Sequence, residues 1–285
     1  MIKDIIRKLT QHTDLTYEEA YEFVHLLKNE EISDCQIGGF LVALLMKGPT
    51  TEEIAAIAQA MRDACQQIRP KVEGRLIDTC GTGGGLNTYN VSTAVALVAS
   101  TAGVPVAKHG SRSLSGLCGS ADVLEKLGVE IDLRPGEAEA LIEKIGIGFL
   151  YAPNFHPLMH RVLPPESELG IKTIFYTIIG PLINPADTRA HILGVYRPEL
   201  VNQVAEVVAR LKFEHAMVVH GQDGFDEISV VGPTTIAEVK DGAIKYYEIA
   251  PEDVGIKRHS YEDIKGGPPE VNARVLAELL AGNGS

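Results

Sequence analysis

Glycine and hydroxyl residues are concentrated in one short segment near position 85. The segment contains Gly81-Thr82-Gly83-Gly84-Gly85, followed by Thr88, Asn90, Val91, Ser92 and Thr93. Glycines let backbone N–H groups approach an anion closely, and the helix predicted after them adds unpaired donors and a favourable dipole. The segment therefore predicts a phosphate-binding loop, although a glycine turn with an ordinary Ser/Thr cap is an alternative for this loop alone.

A second polar segment follows the next predicted strand. It reads Lys108-His109-Gly110-Ser111-Arg112, and small residues continue it at Ser113, Ser115, Gly116, Gly119 and Ser120. Ligands of an open parallel sheet lie beyond the carboxyl ends of its strands, so both segments should face the same crevice. Lys108 and Arg112 would supply cations there, and the flanking glycines argue against an interpretation as solvated charges.

An acidic segment, Asp223-Gly224-Phe225-Asp226-Glu227, follows the apolar run at 216–219. Adjacent carboxylates suit Mg²⁺, which prefers hard oxygen ligands, keeps several waters and is usually shared with substrate phosphates. Taken alone, the pair would be a solvated turn. Its position at a strand end, opposite the two polar segments, favours a metal site instead.

The first 67 residues contain helical periodicity only. Apolar residues repeat on single faces at Ile2, Ile5, Ile6 and Leu9, then at Phe23, Leu26 and Leu27, then at Ile37, Phe40, Leu41, Leu44 and Leu45. Thr16 with Glu19 and Thr50 with Glu53 fit the spacing of capping boxes, and Gly48-Pro49 marks a stop between the third and fourth helices. We expect a small cluster of four helices.

From residue 76 onward, short apolar runs alternate with helical patterns, which predicts a mostly parallel sheet covered by helices. Strand-like runs lie at 104–107, 147–150, 192–195 and 216–219, and helical patterns at 92–102 and 199–211. Two runs around Asp241-Gly242 predict a hairpin near the end of the chain. The proline-rich stretch 155–185 interrupts the alternation and is expected to cross between domains. The predicted fold class is α/β, with a helical domain at 1–70, joined by part of 155–185, and an α/β domain at 71–285.

The overall composition excludes several classes of protein. The 285 residues are 45% hydrophobic and 22% charged, which is typical of a globular protein rather than a disordered one. The net charge of -12 opposes attraction to nucleic acid and to anionic membranes, so we expect neither as a partner. The cysteines, Cys35, Cys65, Cys80 and Cys118, contain no Cys-x-x-Cys pair that would indicate a zinc knuckle. No apolar run approaches the roughly 20 residues that span a bilayer, and a cytoplasmic location is expected.

These segments, together with several others, resemble the anthranilate phosphoribosyltransferase family. The matching segments, in order, are Gly81-Thr82-Gly83-Gly84, Thr88-Tyr89-Asn90-Val91-Ser92-Thr93, Lys108-His109-Gly110 with Arg112, Gly119-Ser120-Ala121-Asp122-Val123-Leu124, Phe155-His156-Pro157, Glu168-Leu169-Gly170, Thr173-Ile174-Phe175, Gly180-Pro181-Leu182 with Asn184-Pro185, and Asp226-Glu227. The match extends from the N-terminal helices to about residue 280.

The resemblance implies a nucleoside phosphorylase/phosphoribosyltransferase-like fold whose helical domain forms a homodimer. It implies transfer of ribose 5-phosphate from phosphoribosyl diphosphate (PRPP) to anthranilate, in tryptophan biosynthesis. Mg²⁺, as two ions with one accompanying the diphosphate, would be bound through Ser92, Asp226 and Glu227. Lys108 and His109 would be the catalytic residues, the first stabilising the leaving diphosphate and the second positioning the acceptor.

The same resemblance implies two sets of binding residues. PRPP would contact Gly81, Thr82, Gly83, Gly84, Gly85, Thr88, Asn90, Val91, Ser92, Thr93, Lys108, Arg112, Ser115, Gly116, Gly119 and Ser120. Anthranilate would contact Gly81, His109, Ser111 and Glu166.

Several positions depart from the family pattern. The family's Gly-Thr-Gly-Gly-Asp-Gly lacks its aspartate here, and Gly85 aligns with the final glycine. Ser111 replaces an asparagine associated with anthranilate, Tyr176 replaces another asparagine, and Glu166 replaces an arginine. A carboxylate at 166 would repel the carboxylate of anthranilate. The family also continues for several dozen residues beyond Ser285, which would correspond to a missing helical segment.

Two alternatives to this function are open. A pyrimidine nucleoside phosphorylase shares the Lys-His-Gly loop and the Gly-Ser/Thr-Ala-Asp segment, but such enzymes are longer and lack the segments at 155–157 and 180–182 in this form. A catalytically weak PRPP-binding paralogue would explain Ser111 and Glu166. His156 and His160 have helical i, i+4 spacing, but packing and hydrogen bonding are favoured over a zinc site because no further ligand is evident.

Overall fold

The N-terminal helices begin at side chains that bond their first backbone N–H groups. The computed structural model describes residues 1–29, 31–113 and 116–283. Within the described part of the first 64 residues there are four helices: α1 (Ile2–Thr10), α2 (Tyr17–Lys28), α3 (Asp34–Lys47) and α4 (Thr51–Ala64). Thr16 and Thr50 form the predicted capping boxes, and Ser33 forms another at the start of α3. The prediction of a four-helix cluster is confirmed.

One sheet of seven strands occupies the centre of the described residues. Its strands are β1 (Ile77–Asp78), β2 (Val106–Gly110), β3 (Ile147–Tyr151), β4 (Ala190–Gly194), β5 (His215–Gly221), β6 (Thr234–Lys240) and β7 (Ala243–Ile249). The order is β3-β2-β1-β4-β5-β6-β7, and the first five of these are parallel. β6 and β7 are antiparallel, so the mostly parallel sheet and the hairpin are both confirmed.

Helices connect and cover the strands. They are α5 (Val91–Thr101), α6 (Ser120–Lys126), α7 (Pro135–Ile145), α8 (Ala152–Phe155), α9 (Met159–Glu168), α10 (Ile179–Leu182), α11 (Glu199–Arg210), α12 (Tyr261–Ile264) and α13 (Pro269–Leu280), with a 3₁₀ turn at Pro251–Val254. A membrane-crossing helix would have to be longer and more apolar than any helix in the described part of the chain.

The proline-rich stretch at 155–185 is helical over much of its length. Pro164 and Pro165 lie inside α9, where the imino nitrogens cannot donate to the preceding turn. α9 contacts α3 and α10 contacts α4, while the Phe175 ring meets the Phe23 ring edge-on at 6.1 Å between centroids. Because these contacts reach the N-terminal helices, we propose that part of 155–185 belongs with residues 1–70, and that 71–285 forms the second domain.

Three hydrophobic clusters form the core. The largest extends from α1 to α4 through residues near α10 and on to α11, β4 and β5. Two smaller clusters lie on the other side of β1, one around α6 and α13 and one beneath α7 and β3.

β1 lies between these two sides, with β2 as one neighbour and β4 as the other. Chain order reverses at this point, and a parallel sheet opens a crevice at such a position beyond the carboxyl ends of its strands.

Candidate functional site

The glycine loop leaves β1 at Asp78, a buried carboxylate. Asp78 Oδ1 accepts hydrogen bonds from the backbone N–H groups of Thr79 (2.7 Å), Cys80 (3.1 Å) and His109 (3.2 Å). Its Oδ2 accepts from Asn184 Nδ2 at 2.7 Å. One side chain therefore joins the start of the glycine loop, the end of β2 and the segment that follows α10.

The glycine loop contacts the ends of β4 and β5. Thr82 N donates to Gly194 O at 2.9 Å, and the Thr82 hydroxyl donates to the same oxygen at 3.2 Å. A Cβ added at Gly81 would meet that carbonyl at 3.0 Å, and one added at Gly85 would overlap the Asp226 carboxylate. Gly83 and Gly84 have positive φ angles of 63° and 87°. A left-handed backbone and these close approaches both require glycine here.

Lys108 and His109 lie within β2 rather than in a loop after it. The predicted strand at 104–107 therefore ends three residues too early. Lys108 is 3% exposed, and its Nζ lies 3.2 Å from Ser92 Oγ and 3.5 Å from Thr79 Oγ1. The ammonium group is thus directed at the junction between the glycine loop and the start of α5.

The side chain of Asn90 holds the segment before α5 in place. Asn90 adopts the left-handed conformation, with φ 67°, and begins α5 without a side-chain cap. Its Nδ2 donates to Cys118 O at 3.1 Å, so the segment at 88–93 is tied to the second polar loop. The backbone N–H of Thr93 donates to Asn90 O at 2.9 Å, while the buried Thr93 hydroxyl lacks a hydrogen-bond partner among the described residues.

Asp226 and Glu227 follow β5 at the same edge of the sheet. Burial, and then the neighbouring Asp226, raise the pKa of Glu227 to about 8, with Lys108 opposing the shift. Burial also raises the pKa of Asp226. Within the described residues, no three His, Cys, Asp or Glu side chains come together in an arrangement that could hold a metal ion. Two carboxylates and the Ser92 hydroxyl are a sparse set of hard oxygen ligands, which suits Mg²⁺ because that ion keeps waters and substrate phosphates in its shell.

His109 forms a buried pair with His156. The two Nε2 atoms are 3.1 Å apart, and His109 Nδ1 lies 3.1 Å from Gly180 O. A carbonyl can only accept, so Nδ1 of His109 carries the proton and its Nε2 accepts from His156. Burial lowers the pKa of His109 to about 4 and that of His156 well below its usual range, so both rings are neutral at pH 7. The preference for hydrogen bonding over zinc at His156 agrees with this contact.

The side chains of the second polar loop bond mainly to one another and to α6. Arg112 is paired with Glu125 through two contacts of 2.6 Å and with Asp122 at 3.3 Å, so its guanidinium is directed at α6. Asp122 also accepts from the backbone N–H groups of Ser113 and Gly119. Ser120 begins α6, with its hydroxyl close to Gly110, and Gly116 N donates to the Ser113 hydroxyl. Ser115 lies outside the described residues, and Ser111 accepts through its carbonyl from Ala121 N.

Glu166 makes no hydrogen bond, within the described residues, to the groups described so far. It is 1% exposed, at the end of α9, and one carboxylate oxygen accepts from the backbone N–H of Thr173. The other oxygen, Oε2, lacks a hydrogen-bond partner among the described residues, and burial raises the pKa of the carboxyl group. Neither His109 nor Gly81 contacts it through a hydrogen bond in the described part of the chain.

Sequence reasoning assigned no role to Asp78 and Asn272, and it quoted Asn184 only as part of a segment that matches the family. Asp78 had a detectable signal, since a carboxylate at the end of an apolar run must find donors, and a glycine loop beginning three residues later offers them. Asn272 had no such signal, because it donates to Asn90, 182 positions away along the chain.

Comparison with known proteins gives the same picture. Residues 3–65 match the helical bundle domain of the glycosyl transferase family, and residues 73–285 match its α/β domain. The chain is 48% identical to an anthranilate phosphoribosyltransferase of Persephonella marina, over 99% of this chain and 83% of the relative.

Solved structures agree with the sequence relatives. The anthranilate phosphoribosyltransferase of Thermus thermophilus superposes with a TM-score of 0.91 at 44% identity, covering 99% of this chain and 84% of the other. The Saccharomyces cerevisiae enzyme in complex with PRPP and Mg has a TM-score of 0.87 at 28% identity, with the same coverage of both chains. Because 99% of the chain matches these relatives in sequence and in fold, the chain belongs to the anthranilate phosphoribosyltransferase family.

Proposed function

We infer that this chain transfers the 5-phosphoribosyl group of PRPP to anthranilate, which yields N-(5-phosphoribosyl)anthranilate and diphosphate for tryptophan biosynthesis. The observation that carries this inference is the convergence of the glycine loop, Lys108 and the Asp226–Glu227 pair where chain order reverses at β1. The identity to relatives of this name over almost the whole chain supports it.

We propose that PRPP lies between the glycine loop and the end of β2. The backbone of residues 81–85 and the start of α5 would provide N–H donors, and Lys108 would provide the cation. Arg112 is a weaker candidate, because Glu125 and Asp122 already hold its guanidinium. Anthranilate would lie on the opposite side, near Gly81 and His109.

The transfer breaks the bond between ribose C1 and the diphosphate oxygen and forms a bond from C1 to the amine nitrogen, which releases one proton. Positive charge builds on the sugar and negative charge on the leaving group. Lys108 is directed to oppose that negative charge, and a preorganised charge in a partly buried site is effective for this purpose. The amine of anthranilate is weakly basic, so the residues act mainly by positioning the two substrates.

We propose that Mg²⁺ is held by Asp226, Glu227 and Ser92. When bound, the metal neutralises charge on the diphosphate. Two ions, one of them arriving with the diphosphate, fit this sparse protein ligand set. The fit rests on the donor chemistry: two adjacent carboxylates in a partly buried loop need a counter-cation, and Lys108 is the cation that already opposes the rise in the Glu227 pKa.

We propose that the N-terminal helices form a homodimer. α3 exposes Val42, Leu45 and Met46, the last with 73% of its surface accessible, and a row of apolar side chains on one helix favours burial against a partner. Met46→Glu should shift the mass measured by light scattering from dimer to monomer. A cytoplasmic location stays a prediction.

The reaction is tested with a coupled assay that contains PRPP, Mg²⁺ and anthranilate, beside a second assay with phosphate and thymidine or uridine. We expect phosphoribosylanthranilate in the first and no free base in the second. Release of free base would indicate a nucleoside phosphorylase. Binding of PRPP by calorimetry without either product would indicate a catalytically weak paralogue. The Glu270→Ala variant, changed on the exposed surface of α13, is a matched control.

A further inference from the structure

The segment that joins the glycine loop to α5, residues 87–90, contacts a segment near the end of the described chain, residues 261–272, which we call the C-terminal strap. The backbone N–H of Gly266 donates to Asn87 O at 3.1 Å, and the Tyr261 hydroxyl donates to the same oxygen at 3.2 Å. Thr88 and Lys265 form an isolated antiparallel bridge. The strap therefore lies against the part of the loop that leads into α5.

The approach of the strap is so close that a side chain at one position would prevent it. A Cβ added at Gly266 would overlap the carbonyl of Thr88. The Tyr261 ring also lies 5.7 Å from the Phe225 ring, centroid to centroid, and Phe225 is buried next to Asp226. The strap thus contacts both the segment at 87–90 and the acidic segment.

Asn272 is the polar residue that fastens the strap. It is buried on the first turns of α13, and its Oδ1 accepts from Gly267 N at 2.7 Å. Its Nδ2 donates to Asn90 Oδ1 at 2.7 Å and lies 3.5 Å from Thr88 O. Asn90 in turn donates to Cys118 O. The side chain of Asn90 is therefore occupied by two protein partners.

This occupancy changes the role expected of Asn90. With both of its amide atoms engaged, Asn90 fixes the left-handed turn that begins α5. The turn is held from two directions, by the second polar loop through Cys118 and by the strap through Asn272. Loss of either partner leaves an amide atom of the half-buried Asn90 side chain without a protein hydrogen bond, and a net hydrogen bond contributes about 1 kcal/mol.

We propose that Asn272 is a positioning residue for PRPP: it sets the Thr88–Asn90 turn and thereby the donors at the start of α5, and it does not touch the substrate. The proposal rests on the proposed function, because it assumes that PRPP binds at this loop. A role confined to overall stability would lower the melting temperature without separating the constants of the two substrates.

The test compares four chains in steady-state assays with PRPP, Mg²⁺ and anthranilate, and measures PRPP binding by calorimetry. Asn272→Ala should raise the KM and the Kd for PRPP about tenfold, equivalent to ~1.4 kcal/mol, with kcat and the KM for anthranilate within twofold. Tyr261→Phe removes one exposed contact to the same loop and should raise the PRPP constants about twofold. Glu270→Ala, on the same turn of α13, should change none of them.

Equal PRPP constants for Asn272→Ala and the parent would overturn the proposal, as would an equal rise in the KM of both substrates. If Asn272→Ala does not fold, the PRPP constants of the other two variants are compared. A rise for Tyr261→Phe with no change for Glu270→Ala would support the proposal, and equal constants for the two would overturn it. A parent chain that binds no PRPP would overturn the proposed function, and the role of Asn272 with it.

Discussion

The two sides of the crevice are built differently. On the side proposed for PRPP, which we call the phosphate side, Asp78, Asn90 and Asn272 each join two or more segments through their side chains, and the buried Thr93 hydroxyl lacks a partner among the described residues. On the side proposed for anthranilate, which we call the acceptor side, His156 Nδ1 is buried and lacks a partner among the described residues, as does Oε2 of Glu166, a residue that the family resemblance assigns to this side.

The difference indicates which side of the crevice tolerates amino-acid substitutions. A side chain that satisfies several backbone donors cannot be replaced without leaving those donors unpaired, so the phosphate side constrains its sequence strongly. Unpartnered groups on the acceptor side impose no such requirement. The departures at Ser111 and Glu166 are at positions that the family resemblance places on the acceptor side, whereas the aspartate missing from the glycine loop is a departure on the phosphate side.

The largest effect is expected from the acidic pair on the phosphate side. Asp226→Asn together with Glu227→Gln keeps shape and removes both charges that would bind the metal, so kcat/KM should fall on the order of 10³-fold. The fold should persist, because the charges repel each other in the absence of a cation. Assays over a range of Mg²⁺ concentrations measure the loss. Activity within twofold of the parent would remove the metal assignment.

The second largest effect should come from Asp78→Asn, because Asp78 links both sides. An amide nitrogen must now face either the three backbone donors or the Asn184 amide, and about 2 kcal/mol of hydrogen bonding is lost. We expect the KM values of PRPP and of anthranilate to rise together, each by roughly tenfold. A rise for PRPP alone would show that the two sides are independent at this residue.

His156→Phe should affect the acceptor side alone. It removes a hydrogen bond worth about 1 kcal/mol, so the KM for anthranilate should rise roughly fivefold with the PRPP constant unchanged.

The His156→Phe variant should also change how the free energy of unfolding depends on pH. The pKa of His109 in the folded protein, about 4, lies below its usual value of 6.5, so the unfolded chain binds more protons between these values. The free energy of unfolding should therefore decline as pH falls from 6.5 to 4. Burial also lowers the pKa values of His156 and His191, so His156→Phe removes one of three contributing rings, and denaturant titrations at several pH values should show a shallower decline than in the parent.

Glu166→Gln should give the smallest effect and the opposite pH dependence. Burial raises the pKa of Glu166 in the folded protein, so the contribution of this carboxyl to stability is intact below pH 4.5 and is lost as pH rises above it. The free energy of unfolding of the variant, relative to the parent, should therefore increase by on the order of 1 kcal/mol between pH 4 and pH 7. A difference that is the same at both pH values would mean that Glu166 is not destabilised by burial.

The sequence predicts the order and type of the main elements because each has a local signal. Capping boxes mark α2 and α4, period-two runs mark β6 and β7, and glycines mark the loop after β1. The C-terminal end of β2 could not be predicted, because Lys108 and His109 are polar residues whose partners, Ser92 in α5 and His156 after α8, lie elsewhere in the sequence. Helix α9 could not be predicted either, because its two interior prolines have low helical propensity. Packing of α9 against α3 compensates for that low propensity.

Polar contacts between residues far apart in the sequence also limited the prediction of the site. The Arg112 side chain looks like a ligand for phosphate in the sequence, yet Glu125 on α6 occupies it, and Asn90 is occupied by Cys118 and Asn272. Such assignments depend on which of several donors and acceptors come together in space. The residue types at 81–93, 108–109 and 226–227 were sufficient to locate the crevice, but not to distinguish groups that face it from groups that hold it together.

The division of the core on the two sides of β1 has a dynamic consequence. The large cluster joins α1–α4 to α11, β4 and β5, whereas β2, β3, α6 and α13 rest on two small ones. Regions with fewer buried apolar contacts open more readily below the global unfolding energy. Amide hydrogens of β2 and β3 should exchange with solvent faster than those of β4 and β5. The glycine loop starts at the seam between these cooperative units, so a ligand bound there would couple their opening and slow exchange in the weaker half.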